Sequence, residues 1–406
     1  MKKNINYHYL LLVRIIYVLW IACILIFAER SETSKYVDIV TMILVSFAGF
    51  YVLYLKKIRL NIHLLNIWIF SLFFLASTLW ANNQQYALTR NITVCTLVII
   101  ICILYQFFHF NKDEIFVVKG LAIAGIILSV YTVYFYGLGE FINILIEGKR
   151  MGIGFINSNT LGMYCALTII ICVFFGLNEN KKNVYWILIL PMIIVFASGS
   201  RKALVTMFLG IIMVYILIYD SKKSINVKFK EGLFIIIMVA VCICVLKLPI
   251  FEPIVQRFNS MINITNSSNM MNTDSSTLER IKMFEIGWIQ FSKTPFLGIG
   301  IGCSGILTFN EIGYFTYLHN NYIELLATVG IIGTLLFYNF YYHIFKKLKN
   351  MIKDRDSLAI ITFIILTIQI FMDFGSVSYF SKTTYIYFLV GILTVTRKKN
   401  DEVNIK

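Results

Sequence analysis

The chain has 406 residues, 59% hydrophobic and 14% charged, with a formal net charge of +15 and a mean hydropathy of +0.78. Soluble domains carry about 25% charged residues, so this composition excludes a soluble globular protein, and apolar runs of helix length exclude a membrane β-barrel. A balance of +15 in a soluble protein would suggest nucleic acid, but here the basic residues gather in alternate loops between apolar runs. That pattern reports topology, and no nucleic-acid partner is expected.

The N-terminal stretch MKKNINYHYLLLVRIIYVLW has no small-residue cleavage site, and it reads as a retained first helix rather than a cleaved signal. Twelve spans are expected, at about 10–28, 37–55, 64–81, 91–110, 115–137, 158–177, 184–198, 203–219, 232–248, 320–345, 358–374 and 377–396. The pair 184–198 and 203–219, split only by Gly-Ser-Arg-Lys, can also be read as two half-helices meeting at a cavity. With the N-terminus inside, the clusters around Lys56, Lys181, Lys222, Lys346 and Arg397 all fall on one side. The positive-inside rule makes that side the cytoplasm and places both termini there. The polar tract 249–319 then lies outside, where long loops translocate largely regardless of charge. The expected organisation is therefore 1–248 as spans one to nine, 249–319 as an extracytoplasmic loop, and 320–406 as three spans and a cytoplasmic tail. Of the eight cysteines only Cys303 falls in the polar tract, so no disulfide framework is implied.

Within the tract, Asn263–Thr277 is rich in Ser, Asn and Thr and reads as a loop. Ser276-Thr277-Leu278-Glu279 has the form of a capping box. Leu278, Ile281, Phe284, Trp288 and Phe291 follow at helical spacing, and Pro295 with the glycines after it stops the helix. An amphipathic helix lying on the outer surface or over a cavity is expected over 277–292, with Arg280 off the apolar stripe. The fold class is thus an all-α integral membrane protein with a large extracytoplasmic loop between spans nine and ten that contains an amphipathic helix.

Three outward-facing helix N-termini carry polar clusters: Asn157-Ser158-Asn159, Ser198-Gly199-Ser200-Arg201 and His319-Asn320-Asn321. Free backbone N–H groups there favour anions, which at membrane level suits a lipid-linked phosphate or diphosphate. His319 is singled out because His8, His63, His109 and His343 all fall near the predicted cytoplasmic side. Arg201 runs against the positive-inside bias, although a boundary arginine often only snorkels. Arg280 is either a ligand contact or part of a solvated helix face. Lys149, Arg150, Lys202 and Arg257 are further candidate contacts to diphosphate or sugar. Asn157, Asn159, Ser200 and Asn320 are candidates for substrate binding, the plainer role for the asparagines being helix capping. Asp354-Arg355-Asp356 has the form of a metal motif but lies in a charged cytoplasmic loop. Lys119, Glu324 and Asp373 sit in or at the ends of spans, where ionisable groups are functional hypotheses by default. Tyr314, Phe315 and Tyr317 belong to an aromatic belt and offer faces on which sugar rings stack.

Four stretches resemble the O-antigen ligase/polymerase superfamily, which includes Wzy-type polysaccharide polymerases. They are Gly152-Ile153-Gly154-Phe155-Ile156-Asn157-Ser158-Asn159, Ser198-Gly199-Ser200-Arg201, the tract from Ser276 to Gly302, and His319-Asn320 followed by Gly330 and Gly333. The resemblance implies a metal-independent, cofactor-free membrane glycosyltransferase. Its donor would be an undecaprenyl-diphosphate-linked oligosaccharide at the outer face of a bacterial cytoplasmic membrane. The family's functional residues map onto His319, Arg201 and Arg280. Membrane lipids, a flippase and a chain-length regulator are the further partners implied. A polymerase of O-antigen or capsule is the leading expectation and a ligase acting on a lipid or protein acceptor the alternative, since no residue separates them. A flippase or transporter would show paired interrupted helices in two matching halves, and the sequence shows none.

Overall fold

A computed structural model describes residues 7–181, 183–218 and 275–397, and every regular element in them is helical. The helices are α1 (Tyr7–Phe27), α2 (Ser31–Leu55), α3 (Ile62–Ala76) with a 3₁₀ turn at Ser77–Trp80, α4 (Gln84–Asn111), α5 (Glu114–Ile146) and α6 (Ser158–Asn178). They continue as α7 (Val184–Ile187), α8 (Ile189–Ala197) and α9 (Arg201–Ile218). After the undescribed stretch come α10 (Ser275–Lys293), α11 (Ser304–Ile312), α12 (Asn321–Lys353), α13 (Ser357–Met372) and α14 (Lys382–Thr396). Eight helices, counting α3 with its 3₁₀ turn as one, are long and apolar enough to cross a membrane; Val184–Ala197, Ser357–Met372 and Lys382–Thr396 are shorter apolar helices. These correspond to eleven of the expected spans, whereas the span at 232–248, Arg257 and most of the Ser/Asn/Thr-rich stretch lie outside the described residues.

The boundaries follow local chemistry. Asn61, Asn83, Asn157, Asn320 and Asp356 each sit at an N-cap and accept from backbone N–H groups of the turn that follows, which satisfies donors that a helix start leaves orphaned. Asp356 is thereby spent as the cap of α13, and it also pairs with Arg397. Lys119 of α5 is ion-paired with Glu179 at 2.6 Å. Burial raises the Glu179 carboxyl, but hydrogen bonds from Lys119 and Lys181 outweigh it and hold the group below the usual carboxylate range.

The chain divides into two compact units. One holds Tyr7–Leu44 and residues from 118 onward through α9; its core packs α6 against α8 and α9. The other holds residues 45–117 with the described residues from 275 onward. In it α12 packs on α3, α10 and α13, and α14 on α4 and α13, around Phe70, Phe74, Phe337, Phe340, Tyr341 and Phe388.

The feature of this second unit that hydropathy does not reveal is a break in α12. Gly330 has φ 64° and ψ −172°, far from helical values. Four of the backbone groups at the break pair with the tract that follows α10. Ala327 and Thr328 carbonyls accept from the N–H groups of Ile299 (3.2 Å) and Gly300 (2.8 Å), and the N–H groups of Ile331 and Ile332 donate to the carbonyls of Pro295 (2.8 Å) and Phe296 (3.4 Å). The glycine-rich tract after α10 is therefore a strap of successive turns lying in the break, fastened on its far side by Asn82 N–H to Ile299 O (2.9 Å) and by Ile301 N–H to Ser77 Oγ (3.1 Å). Buried backbone polar groups are nearly always paired, and non-helical backbone at membrane depth is tolerated where protein covers it.

α10 packs on the protein through a face other than its apolar stripe. Leu278, Ile281, Phe284 and Trp288 are exposed, and the packed face is Met283, Ile286 and Gly287. The reason is Gly287: a Cβ there would lie 2.2 Å from Ile323 and 2.7 Å from Leu318, so this side of the helix seats closest on α12. Small residues mark helix contacts in membranes, while large apolar ones are as content facing lipid.

Candidate functional site

The residues singled out from the sequence fall into two groups, one in each unit, and each is described by itself. Arg280, His319 and Asn320 belong to the unit containing α12. Lys149, Arg150, Asn157, Asn159, Ser200, Arg201 and Lys202 belong to the other.

His319 stands between a loop and the first turn of α12, half-buried, with φ 53°. A non-glycine residue in the left-handed region is uncommon and persists where its surroundings over-determine it. Here two buried carboxylates do so. Glu324, 1% exposed, accepts from the Leu318 N–H (2.9 Å) and from Ser304 Oγ (2.5 Å), which fixes the residue before the histidine. On the other side Asn320 caps the helix, accepting from Tyr322 N–H (2.9 Å) and Ile323 N–H (3.2 Å). Asn321 then ties the turn to the α13–α14 connection: its N–H donates to Asp373 O (2.8 Å), and its Oδ1 accepts from the N–H groups of Ser378 (2.9 Å) and Tyr379 (3.1 Å). The Asp373 carboxylate is fully buried and accepts from Tyr338 (2.7 Å), Gln369 (2.9 Å) and Asn321 (3.3 Å). The His319 ring lies 4.3 Å from the Tyr317 ring, centroid to centroid.

Arg280 is exposed on α10 and makes no hydrogen bond or ion pair among the described residues. It shares a helix face with Met283 and Gly287, the face that packs through Ile286 and Met283 into a small core with Leu318, Ile323 and Ala327. The helix bearing Arg280 is thus seated directly against the residue preceding His319. Behind the strap, burial pushes the Cys303 thiol up from its ordinary value. Burial, reinforced by the Glu324 carboxylate, does the same to the Tyr379 phenol. Neither group is available as an ionised nucleophile at neutral pH.

The second group converges on the starts of α6 and α9. Arg150 donates to Ser198 O through Nε (3.2 Å) and to Asn159 Oδ1 through Nη2 (3.2 Å). Asn157 caps α6, accepting from Asn159 N–H (2.9 Å), and the Ala203 N–H approaches Ser200 Oγ at 3.3 Å. Arg201 and Lys202 open α9, both half-buried. The loop before α6 is pinned by Met151 N–H to Ala197 O (2.9 Å). Arg150, Asn159, Ser198 and Ser200 are thereby one hydrogen-bonded assembly beside Arg201. Lys149 stands apart on the surface, paired with Glu147 at 2.5 Å, which raises its ammonium pKa.

A network as closed as that of Asp373 makes a prediction about stability. Asp373→Ala orphans the donors of Tyr338, Gln369 and Asn321, and each buried unsatisfied group costs ~1–3 kcal/mol. The detergent-solubilised variant is expected to lose about 2 kcal/mol or more, read as a drop in its thermal unfolding midpoint. An unchanged midpoint would show that the network does not hold the histidine turn.

An all-helical chain with this many long apolar helices is a multi-pass membrane protein. Residues 184–338 match the O-antigen ligase family. That range takes in Arg201, Arg280, the strap and His319, and it supports the O-antigen ligase/polymerase superfamily for this chain, a group of membrane glycosyltransferase-like enzymes. No curated protein matches the sequence.

Proposed function

We propose that this protein is a polysaccharide polymerase that transfers an undecaprenyl-diphosphate-linked glycan onto a lipid-linked repeat unit at the outer face of the cytoplasmic membrane. The observation that carries the reading is His319, locked in a left-handed turn between two buried carboxylate anchors within the matched range. Such fixing matches what a general base requires, since rate depends on holding the base in reach of its proton.

The reaction needs little else. An acceptor sugar hydroxyl attacks the donor's anomeric carbon, the new C–O bond forms, and the bond from that carbon to the diphosphate oxygen breaks. His319 takes the hydroxyl proton. The diphosphate leaves with the bonding pair; it needs charge stabilisation more than a proton, and arginine supplies that. Arg201 and Arg280 are the candidates. No metal enters this scheme.

The test is reconstitution of the purified full-length chain in lipid nanodiscs with lipid-linked repeat units as sole substrate. Growth of a ladder of lipid-linked polymer is the expected result. Transfer that occurs only when a separate lipid or protein acceptor is added would replace the polymerase with a ligase.

A further inference from the structure

Beside the histidine turn, in the same unit, lies a pocket of about 270 Å³ that no motif announced. Its walls include Tyr86, Phe315, Tyr317 and Phe380, with Ser304 at its base and Arg90 at its side. Tyr86, Phe315 and Tyr317 are each more than 40% exposed, so their rings form an open rim.

Arg90 is the informative member. Its guanidinium carbon sits 3.7 Å from the centre of the Phe380 ring, close enough for a cation–π contact. Its stem runs over Gly302, where a Cβ would come within 2.9 Å of the Arg90 Cβ. The side chain is thus half-buried and fixed from two sides, yet its N–H donors meet no acceptor among the described residues. Glu324 also borders the pocket, but its two oxygens are occupied by Ser304 and the Leu318 N–H. Arg90 therefore makes no hydrogen bond or ion pair among the described residues, although Glu324 feels its charge across the pocket, and its donors remain open to a ligand.

We propose that this pocket binds an acidic sugar unit of the glycan. The anionic group, carboxylate or phosphate, takes the planar Arg90 donors, and the ring stacks within the aromatic rim. A pocket of this size, open at its aromatic rim, can admit a single sugar ring. Planar bidentate recognition of carboxylate and phosphate is what arginine does better than lysine. Thr316 and Tyr317, two and three residues before His319, are part of the lining, so a sugar held here lies along the loop that presents the candidate base. The assignment of this ligand as part of the glycan rests on the transfer reading above; the binding itself does not.

The experiment is saturation-transfer NMR on the full-length protein in detergent, with three soluble probes: methyl β-glucuronoside, glucose 1-phosphate and methyl β-glucoside. At least one acidic probe is expected to bind about tenfold tighter than the neutral one, a charge-assisted contact supplying the ~1.4 kcal/mol that a factor of ten requires. Arg90→Gln is expected to erase that preference, Arg90→Lys to keep only part of it, and Phe380→Ala to weaken all probes. Tighter binding of the uronoside identifies a carboxylate sugar; tighter binding of the phosphate identifies the phosphorylated end of the carrier-linked glycan. Equal binding of acidic and neutral probes by wild type, or a preference that survives in Arg90→Gln, would overturn the proposal. No turnover is needed, so a failed polymerisation assay leaves this result standing and a failed binding assay leaves the polymerase reading untouched.

Discussion

Replacing His319 with alanine is expected to leave the protein in the membrane at wild-type level and to remove the polymer ladder from the cell surface. Loss of a positioned general base costs ~10²–10⁴-fold in rate, which drops a surface polymer below detection on a gel. The side chain is half-buried, and the turn is also held by bonds of Glu324, Asn320, Asn321 and Asp373, so the fold is expected to survive its removal. The backbone is the complication: at φ 53° an alanine pays ~1–2 kcal/mol in the left-handed region. His319→Asn and His319→Gly separate the two effects, because both tolerate that conformation and neither is a base. All three variants should be inactive if the imidazole is the base. The assay is a strain lacking its own copy, with membrane levels matched and the surface glycan resolved by electrophoresis. Single lipid-linked repeats accumulating in the variant would agree with a polymerase, and long polymer retained on its carrier would indicate a ligase. An unchanged ladder would remove His319 from catalysis.

The second large effect is structural. Gly330→Ala is expected to prevent folding. A Cβ at that position would lie 2.2 Å from the Phe296 carbonyl oxygen and 2.3 Å from its carbon, and the obstacle is backbone that is itself hydrogen-bonded into the break. The φ 64°, ψ −172° conformation adds to this, since that region is essentially restricted to glycine and costs ~1–3 kcal/mol otherwise. Overpacking adds a further ~1–3 kcal/mol. Gly298→Ala meets the mirror-image obstacle, with its Cβ 2.3 Å from the Thr328 carbonyl carbon, and should fail in the same way. Size-exclusion profiles of fluorescently tagged protein in detergent report both. A monodisperse Gly330→Ala peak with wild-type thermal stability would mean the strap does not need the break.

Apolar run length carried most of the architecture into the sequence reading. The sixth span, expected at 158–177, is the helix Ser158–Asn178, and the eleventh, expected at 358–374, is Ser357–Met372. Run length sees burial in lipid or protein alike, so it says where a helix lies and nothing about what it touches. For the same reason it does not tell which face of α10 meets the protein, where Leu278, Ile281, Phe284 and Trp288 make the apolar stripe but Gly287 makes the contact. The break at Gly330 was hidden because the residues around it remain apolar. His319 was legible because histidines are few and its position was unusual. Arg90 did not stand out, because its partner Phe380 comes from the far end of the chain and no local pattern links them.

The strap and the histidine turn also say something about how the protein is made. The Pro295 and Phe296 carbonyls and the Ile299 and Gly300 N–H groups find their partners only in Ala327–Ile332, and the Asn321 N–H and Oδ1 find theirs only in Asp373, Ser378 and Tyr379. Phe380 comes later still to meet Arg90. A ribosome-bound or truncated chain lacking the final helices therefore carries the histidine without the framework that aims it. The framework around the histidine turn is thus complete only when α13 and α14 are in place.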